Sequence, residues 1–75
     1  MKKYCIAVLG ILDKSGGHED PVEVFTKCSV PESEWQTLLA FLQGKVYPVY
    51  AGGRELPISI IIKESGRRYL HQYTH

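Results

Sequence analysis

The clearest hydrophobic period in the chain lies between Ser29 and Lys45, SVPESEWQTLLAFLQGK. Trp35, Leu38, Leu39 and Leu42 fall at i, i+3, i+4 and i+7, the spacing of one helical face turned toward a core. Ser29 with Glu32 three residues on fits a capping box, and Val30 is the competing cap. Pro31 sits in the first turn, Glu32 and Glu34 complement the helix dipole, and Gly44 supplies the stop. A helix is therefore predicted here.

The flanking segments read as strands. Tyr4 to Leu12 (YCIAVLGIL) is apolar on both alternating faces, as a strand in the middle of a sheet would be. Asp13 to Asp20 is a polar loop around Gly16 and Gly17. Pro21 to Cys28 then alternates, with Val22, Val24, Thr26 and Cys28 against Glu23, Phe25 and Lys27. Lys45 to Tyr50 is rich in β-formers, but Pro48 cannot donate to a ladder, so this segment belongs at an edge or beside a bulge. Pro57 to Lys63 and Arg67 to Thr74 complete the set, joined by a turn at Ser65-Gly66. The expected fold is α+β, a small antiparallel sheet of four or five strands in ββαβββ order with one helix packed on one face. Residues 1–75 form a single domain on this reading, since a chain this short has no room for two.

Composition changes this picture little. A hydrophobic share of 44% with 23% charged residues is that of an ordinary globular domain, which argues against disorder. The net charge of +1 is too small to argue for nucleic acid or membrane on its own. Its distribution says more. Residues 1–44 carry an acidic excess, whereas Lys45, Arg54, Lys63, Arg67 and Arg68 face only Glu55 and Glu64 in the remainder. A positive surface near the C-terminal segment is expected.

Cys5 and Cys28 lack CxxC spacing and are too few for a disulfide scaffold, so both read as buried thiols in a reducing compartment. Met1-Lys2-Lys3 and the apolar run after it imitate a secretory leader. The run is short, no small-x-small site follows, and Asp13-Lys14 closes it, so an uncleaved cytoplasmic chain is expected.

Candidate chemistry is sparse. His71 and His75, four apart on a strand, would stand roughly 13 Å from one another, too far to share an ion. His18, Glu19 and Asp20 have no second cluster to complete a coordination shell, and no metal or cofactor is predicted. Lys14-Ser15-Gly16-Gly17 joins strand to strand, so no helix N-terminus is there to receive a phosphate. The two cysteines lie in apolar segments, unlike reactive thiols, and the protein is not expected to be an enzyme. An enzyme sharing its site across a subunit interface would need His71 exposed beside a cleft.

Two features point toward binding. The side of the helix away from Trp35 and Leu42 carries Ser33, Gln36, Thr37, Ala40 and Gln43, with no charge after Glu34 and with Phe41 at the margin of the apolar stripe. A fully solvated face would normally carry Lys and Glu, whereas interfaces are depleted in both. A single helix also leaves one face of the two-faced first strand uncovered, which a second copy would cover. The expected function is a small non-enzymatic interaction protein of accessory or inhibitor type. It would bind another protein, as a homodimer or higher oligomer, through Phe41, Tyr50, Arg54, Arg67 and Arg68. The alternative is a single-stranded nucleic-acid or nucleotide binder using Arg67 and Arg68 with Tyr69 and Tyr73, which interleave base with aromatic. In a hairpin turning at Ser65-Gly66, however, Tyr69, His71 and Tyr73 would pair with Ile62, Ile60 and Ile58 on the core face.

Overall fold

A computed structural model describes residues 2–53 and 55–73. It corrects the expected architecture. Among the described residues there are four α-helices and three short strands, in the order α1 (Lys2–Lys14), β1 (His18–Glu19), α2 (Pro21–Lys27), α3 (Trp35–Leu42), β2 (Val46–Val49), β3 (Ser59–Ile62) and α4 (Glu64–Tyr73). A single 3₁₀ turn, Glu32–Glu34, leads into α3. The ββαβββ sheet with one helix does not form.

The first expected strand is α1, and the reason is packing. Cys5, Val8, Leu9 and Leu12 are fully buried, at the same i, i+3, i+4, i+7 spacing as the stripe of α3. Tyr4, Ile6 and Ile11 are half-buried against the same core. This helix packs against α2, α3, α4, β1 and β3, so nearly all of its circumference is apolar. An all-round apolar run matches a two-faced strand as well as a central helix. The organiser of the fold is α1 rather than α3. The bare face expected for a first strand does not arise, because Tyr4 to Leu12 is helical.

The second expected strand is α2. Asp20 is its N-cap, with Oδ1 accepting from the Val22 N–H at 2.9 Å, and Pro21 occupies the first turn. Pro21, Val24 and Phe25 are buried along one face. The last expected strand is α4, and Ser65-Gly66 lies in its first turn instead of in a hairpin. The Ser65 hydroxyl donates to the Gly44 carbonyl, which ties α4 to the turn after α3. Gly66 is buried beside the Lys45 carbonyl, where any Cβ would collide with backbone. Glycine is required there by close approach, not by chain reversal.

The sheet is antiparallel in the order β1-β3-β2. Val46 pairs with Ile62, Tyr47 with Ile61, Pro48 with Ile60 and Val49 with Ser59, while His18 and Glu19 pair with Ile61 and Ile60. Pro48 thus lies on an edge strand, as its missing N–H requires. Ile60 and Ile62 face the helices, and the outer face carries Tyr47, Val49 and Ile61, all exposed.

Cys5 is buried and Cys28 half-buried, both as free thiols. Burial pushes the Cys5 thiol above its ordinary value of 9.0, with the nearby Lys45 charge opposing the rise. Desolvation raises Cys28 likewise. No helix among the described residues is long and apolar enough to cross a membrane.

Candidate functional site

The most constrained local geometry joins α2 to α3. At the end of α2 the Cys28 N–H bonds to the Val24 carbonyl at 3.0 Å. The Ser29 N–H then reaches Thr26 at 3.1 Å, and the Val30 N–H reaches Phe25 at 3.0 Å. These last two bonds, with Ser29 at a φ of +58°, form a Schellman motif whose left-handed position is a serine. Val30 and Phe25, the residues that such a motif brings into contact, are both buried.

The far side of the turn is locked by Trp35. Its indole N–H donates to the Val30 carbonyl at 2.9 Å. Its ring tilts against Phe25 at 5.9 Å between centroids. Ser29 is therefore no capping-box residue: Pro31 precedes the 3₁₀ turn, with no side-chain cap. The connection from α2 to α3 is thus held from both sides, by the Schellman bonds at the end of α2 and by Trp35 at the start of α3.

The predicted core stripe of α3 holds. Leu38 and Leu42 are fully buried, and Trp35 and Leu39 are half-buried against the core. The opposite side, Ser33, Gln36, Thr37, Ala40 and Gln43, is exposed. Beside it β2 forms the second wall of a shallow concavity of about 260 Å³. Gln36, Ala40 and Gln43 line it from the helix, and Pro48 and Tyr50 from the strand side. The chain after Tyr50 continues through the exposed Ala51, Gly52 and Gly53.

No lysine or arginine lines this concavity among the described residues, and the exposed Glu32 and half-buried Glu34 stand ahead of α3. Lys45 follows the C-terminus of α3, with Nζ donating to the Phe41 carbonyl at 3.3 Å and standing 5.0 Å from the Phe41 ring. The same ammonium lies 4.9 Å from the Tyr69 ring. Lys63 rests 4.2 Å from the Tyr47 ring, and Lys2 rests 3.8 Å from that of Tyr73. Lys27, at the end of α2, is exposed and 3.7 Å from Glu23. Such exposed pairs hold a cation in place only weakly and leave it free for other anions.

The residues singled out from sequence are distributed over several surfaces. Phe41, Tyr69 and Tyr73 come together, with centroids 6.5 Å and 5.0 Å apart in succession. Tyr50 stands in the concavity beside α3. Arg67 is on another side of the molecule, where Nε donates to Asp13 Oδ1 at 3.2 Å. Arg68 and His71 are exposed and border a shallow depression with Arg67 and Glu64. The helical turn of α4 thus separates Arg67 and His71 from Tyr69 and Tyr73, whereas an extended strand would have put all four on one face. Arg54 lies outside the described residues. Among the described residues no group of three or more His, Cys, Asp or Glu side chains could hold a metal.

The sequence already showed the charge-free outer face of α3, but not its setting. Asp20-Pro21 with Glu23, a helix-start signal, was the available sign that a second helix precedes it. Comparison with protein-family models, with curated proteins and with solved structures gives no match.

Proposed function

We propose that the protein binds double-stranded DNA, with α3 entering the major groove and the β2–β3 hairpin lying against the backbone beside it. The observation that supports this is the exposed, uncharged, hydrogen-bonding side of α3, with Gln36, Thr37 and Gln43. An α-helix fits the roughly 12 Å width of that groove, and base edges are read by amides, hydroxyls and methyl groups of this kind. The absence of Lys and Glu from the outer face of α3 then has a cause. A duplex is favoured over a single strand because Tyr69 is half-buried and its ring lies near Lys45, so it is no open stacking platform.

Phosphate contacts are assigned to Lys27 at the end of α2, Lys45 after α3 and Lys63 after β3. Three such contacts set a slope of about −3 in log affinity against log salt, or roughly a fortyfold loss between 50 and 200 mM. Fluorescence anisotropy with a labelled duplex of random sequence measures this directly. Failure to bind any duplex at low salt and high micromolar protein would end the proposal.

A second reading, a protein-binding accessory module, is favoured by a separate observation. The outer face of the sheet exposes Tyr47, Val49 and Ile61, with Tyr50 and Ile58 also exposed at the start and end of the connecting loop. Exposed apolar residues grouped in this way suit a partner protein or a second copy. Sedimentation at micromolar concentration separates these cases, because a self-associating chain exceeds the 8.5 kDa of the monomer.

A further inference from the structure

We infer that the groove between α1 and α4 is a docking site for an amphipathic helix of a partner protein, one that carries carboxylates beside its apolar face. The inference is independent of the duplex-binding proposal, since the groove shares no residue with α3. The groove is open, with a volume of about 420 Å³. Ile6, Ala7, Gly10 and Ile11 line it from α1, and Leu70 and His71 from α4. Gly10 singles it out. A glycine within a helix is destabilising relative to alanine. At Gly66 that loss has a cause, because the Lys45 carbonyl leaves no room for a Cβ. At Gly10 a Cβ would meet nothing within 4 Å among the described residues, and its φ is not positive. Neither a described neighbour nor the backbone conformation asks for glycine there. A second helix approaching from outside would, because small residues at a contact let two helix axes come closer together.

The form and charge of the occupant follow from the walls. The interior backbone groups of α1 and α4 are bonded within their own helices, so an extended peptide would find no strand edge to pair with. A helix satisfies its own backbone and needs only an apolar face to enter such a groove. The rim supplies the sign. Lys14 lines the groove, and the exposed Lys3 lies on the same stripe of α1, one turn before Ala7. His71 is shared with the adjoining depression, which Arg67 and Arg68 also line. Of the carboxylates, Asp13 is held by Arg67 at 3.2 Å, and Glu64 stands at the start of α4. Lys3, Lys14, Arg67 and Arg68 thus outnumber Asp13 and Glu64, which suits an acidic partner. A second copy would instead bring the same cationic rim against its own.

The test is selection on the full chain from a displayed library of helical peptides of about 15 residues, roughly the span of α1, randomised on the apolar face and its flanks. Enrichment of Asp and Glu beside an i, i+3, i+4, i+7 apolar stripe is expected. Anisotropy with the enriched peptide then locates its site. Gly10→Leu should fill the groove and weaken binding about tenfold. Its urea midpoint should stay level or rise, since a Cβ there meets nothing in the chain. Lys14→Glu combined with Arg68→Glu should also weaken the acidic peptide about tenfold, and a counterpart with Lys in place of its acids should prefer this variant to the native chain. Both positions are exposed, so this second variant keeps the fold. Recovery of no peptide, enrichment without acidic bias, or equal binding to the native chain and either variant overturns the inference. A dimer in sedimentation that Gly10→Leu abolishes also overturns it, by assigning the groove to a second copy. None of these outcomes bears on duplex binding, which anisotropy with a labelled duplex decides separately.

Discussion

Ser29 occupies the position in the α2–α3 turn where the backbone prefers glycine. A left-handed backbone costs a residue with a Cβ about 1–2 kcal/mol, partly offset by the lower chain entropy of a non-glycine in the unfolded state. Ser29→Gly is expected to raise stability by about 0.5–1 kcal/mol, read as a higher urea midpoint at unchanged slope. A drop would mean that the serine side chain does more than tolerate the turn. The thiols give a second expectation at this scale. Cys5 and Cys28 ionise higher in the folded chain than their ordinary value of 9.0. Below pH 9 both are protonated in either state and stability is unaffected by them. As pH rises above 9 the unfolded chain releases these protons first, so stability falls until the folded thiols ionise as well. Urea midpoints measured from pH 8 to pH 10 should decline, and the decline should be shallower in Cys5→Ala. A flat profile would contradict the burial of Cys5.

At the scale of elements, the decisive contacts are those that hold α3 from both ends. Its start is held through Trp35, whose indole N–H caps the Val30 carbonyl. Trp35→Phe keeps a ring beside Phe25 but leaves that carbonyl without its donor, at a cost of about 1–3 kcal/mol. Denaturant unfolding should show this loss as a lower midpoint at unchanged slope. The end of α3 is held by α4, where Gly66 backs onto the Lys45 carbonyl and Lys63 N–H donates to the same oxygen at 3.0 Å. Gly66→Ala would gain helix propensity on an open surface. Here backbone must shift to admit the methyl group, so a net loss of about 1–3 kcal/mol is expected in the same experiment. A stabilised Gly66→Ala protein would mean that α4 does not approach the turn so closely.

At the scale of the molecule, stability depends on α1. Leu9 is fully buried in a helix that packs against three other helices and two strands. Leu9→Ala should cost about 2–5 kcal/mol by lost burial and residual cavity. A domain of this size has about 4–11 kcal/mol in total at the usual per-residue stability, so the variant should be largely unfolded near 40 °C, followed by circular dichroism. Retention of a cooperative transition close to that of the native chain would place the centre of the core elsewhere. The same dependence explains why α2 and α3 require the rest of the chain. Val24, Phe25, Leu38 and Leu42 reach a common core with α1 rather than one of their own.

Local signals determined what short-range forces can determine. The inner stripe of α3, its stop at Gly44 and the edge position of Pro48 were all readable, since each depends on a period or a backbone preference of nearby residues. So was the charge-free outer face of α3. Only the tertiary structure decided that Tyr4–Leu12, Pro21–Cys28 and Arg67–Tyr73 are helical, because their apolar spacing fits both periods. In α1 the ambiguity comes from apolar residues beyond the buried stripe of Cys5, Val8, Leu9 and Leu12, with Ile6, Ala7, Gly10 and Ile11 along an open groove where an amphipathic helix would show polar ones. In α4 it comes from Gly66, whose reason is a carbonyl 21 residues earlier in the chain and which local sequence reads as a turn. That α2 lies before α3 across a locked turn is likewise a tertiary fact.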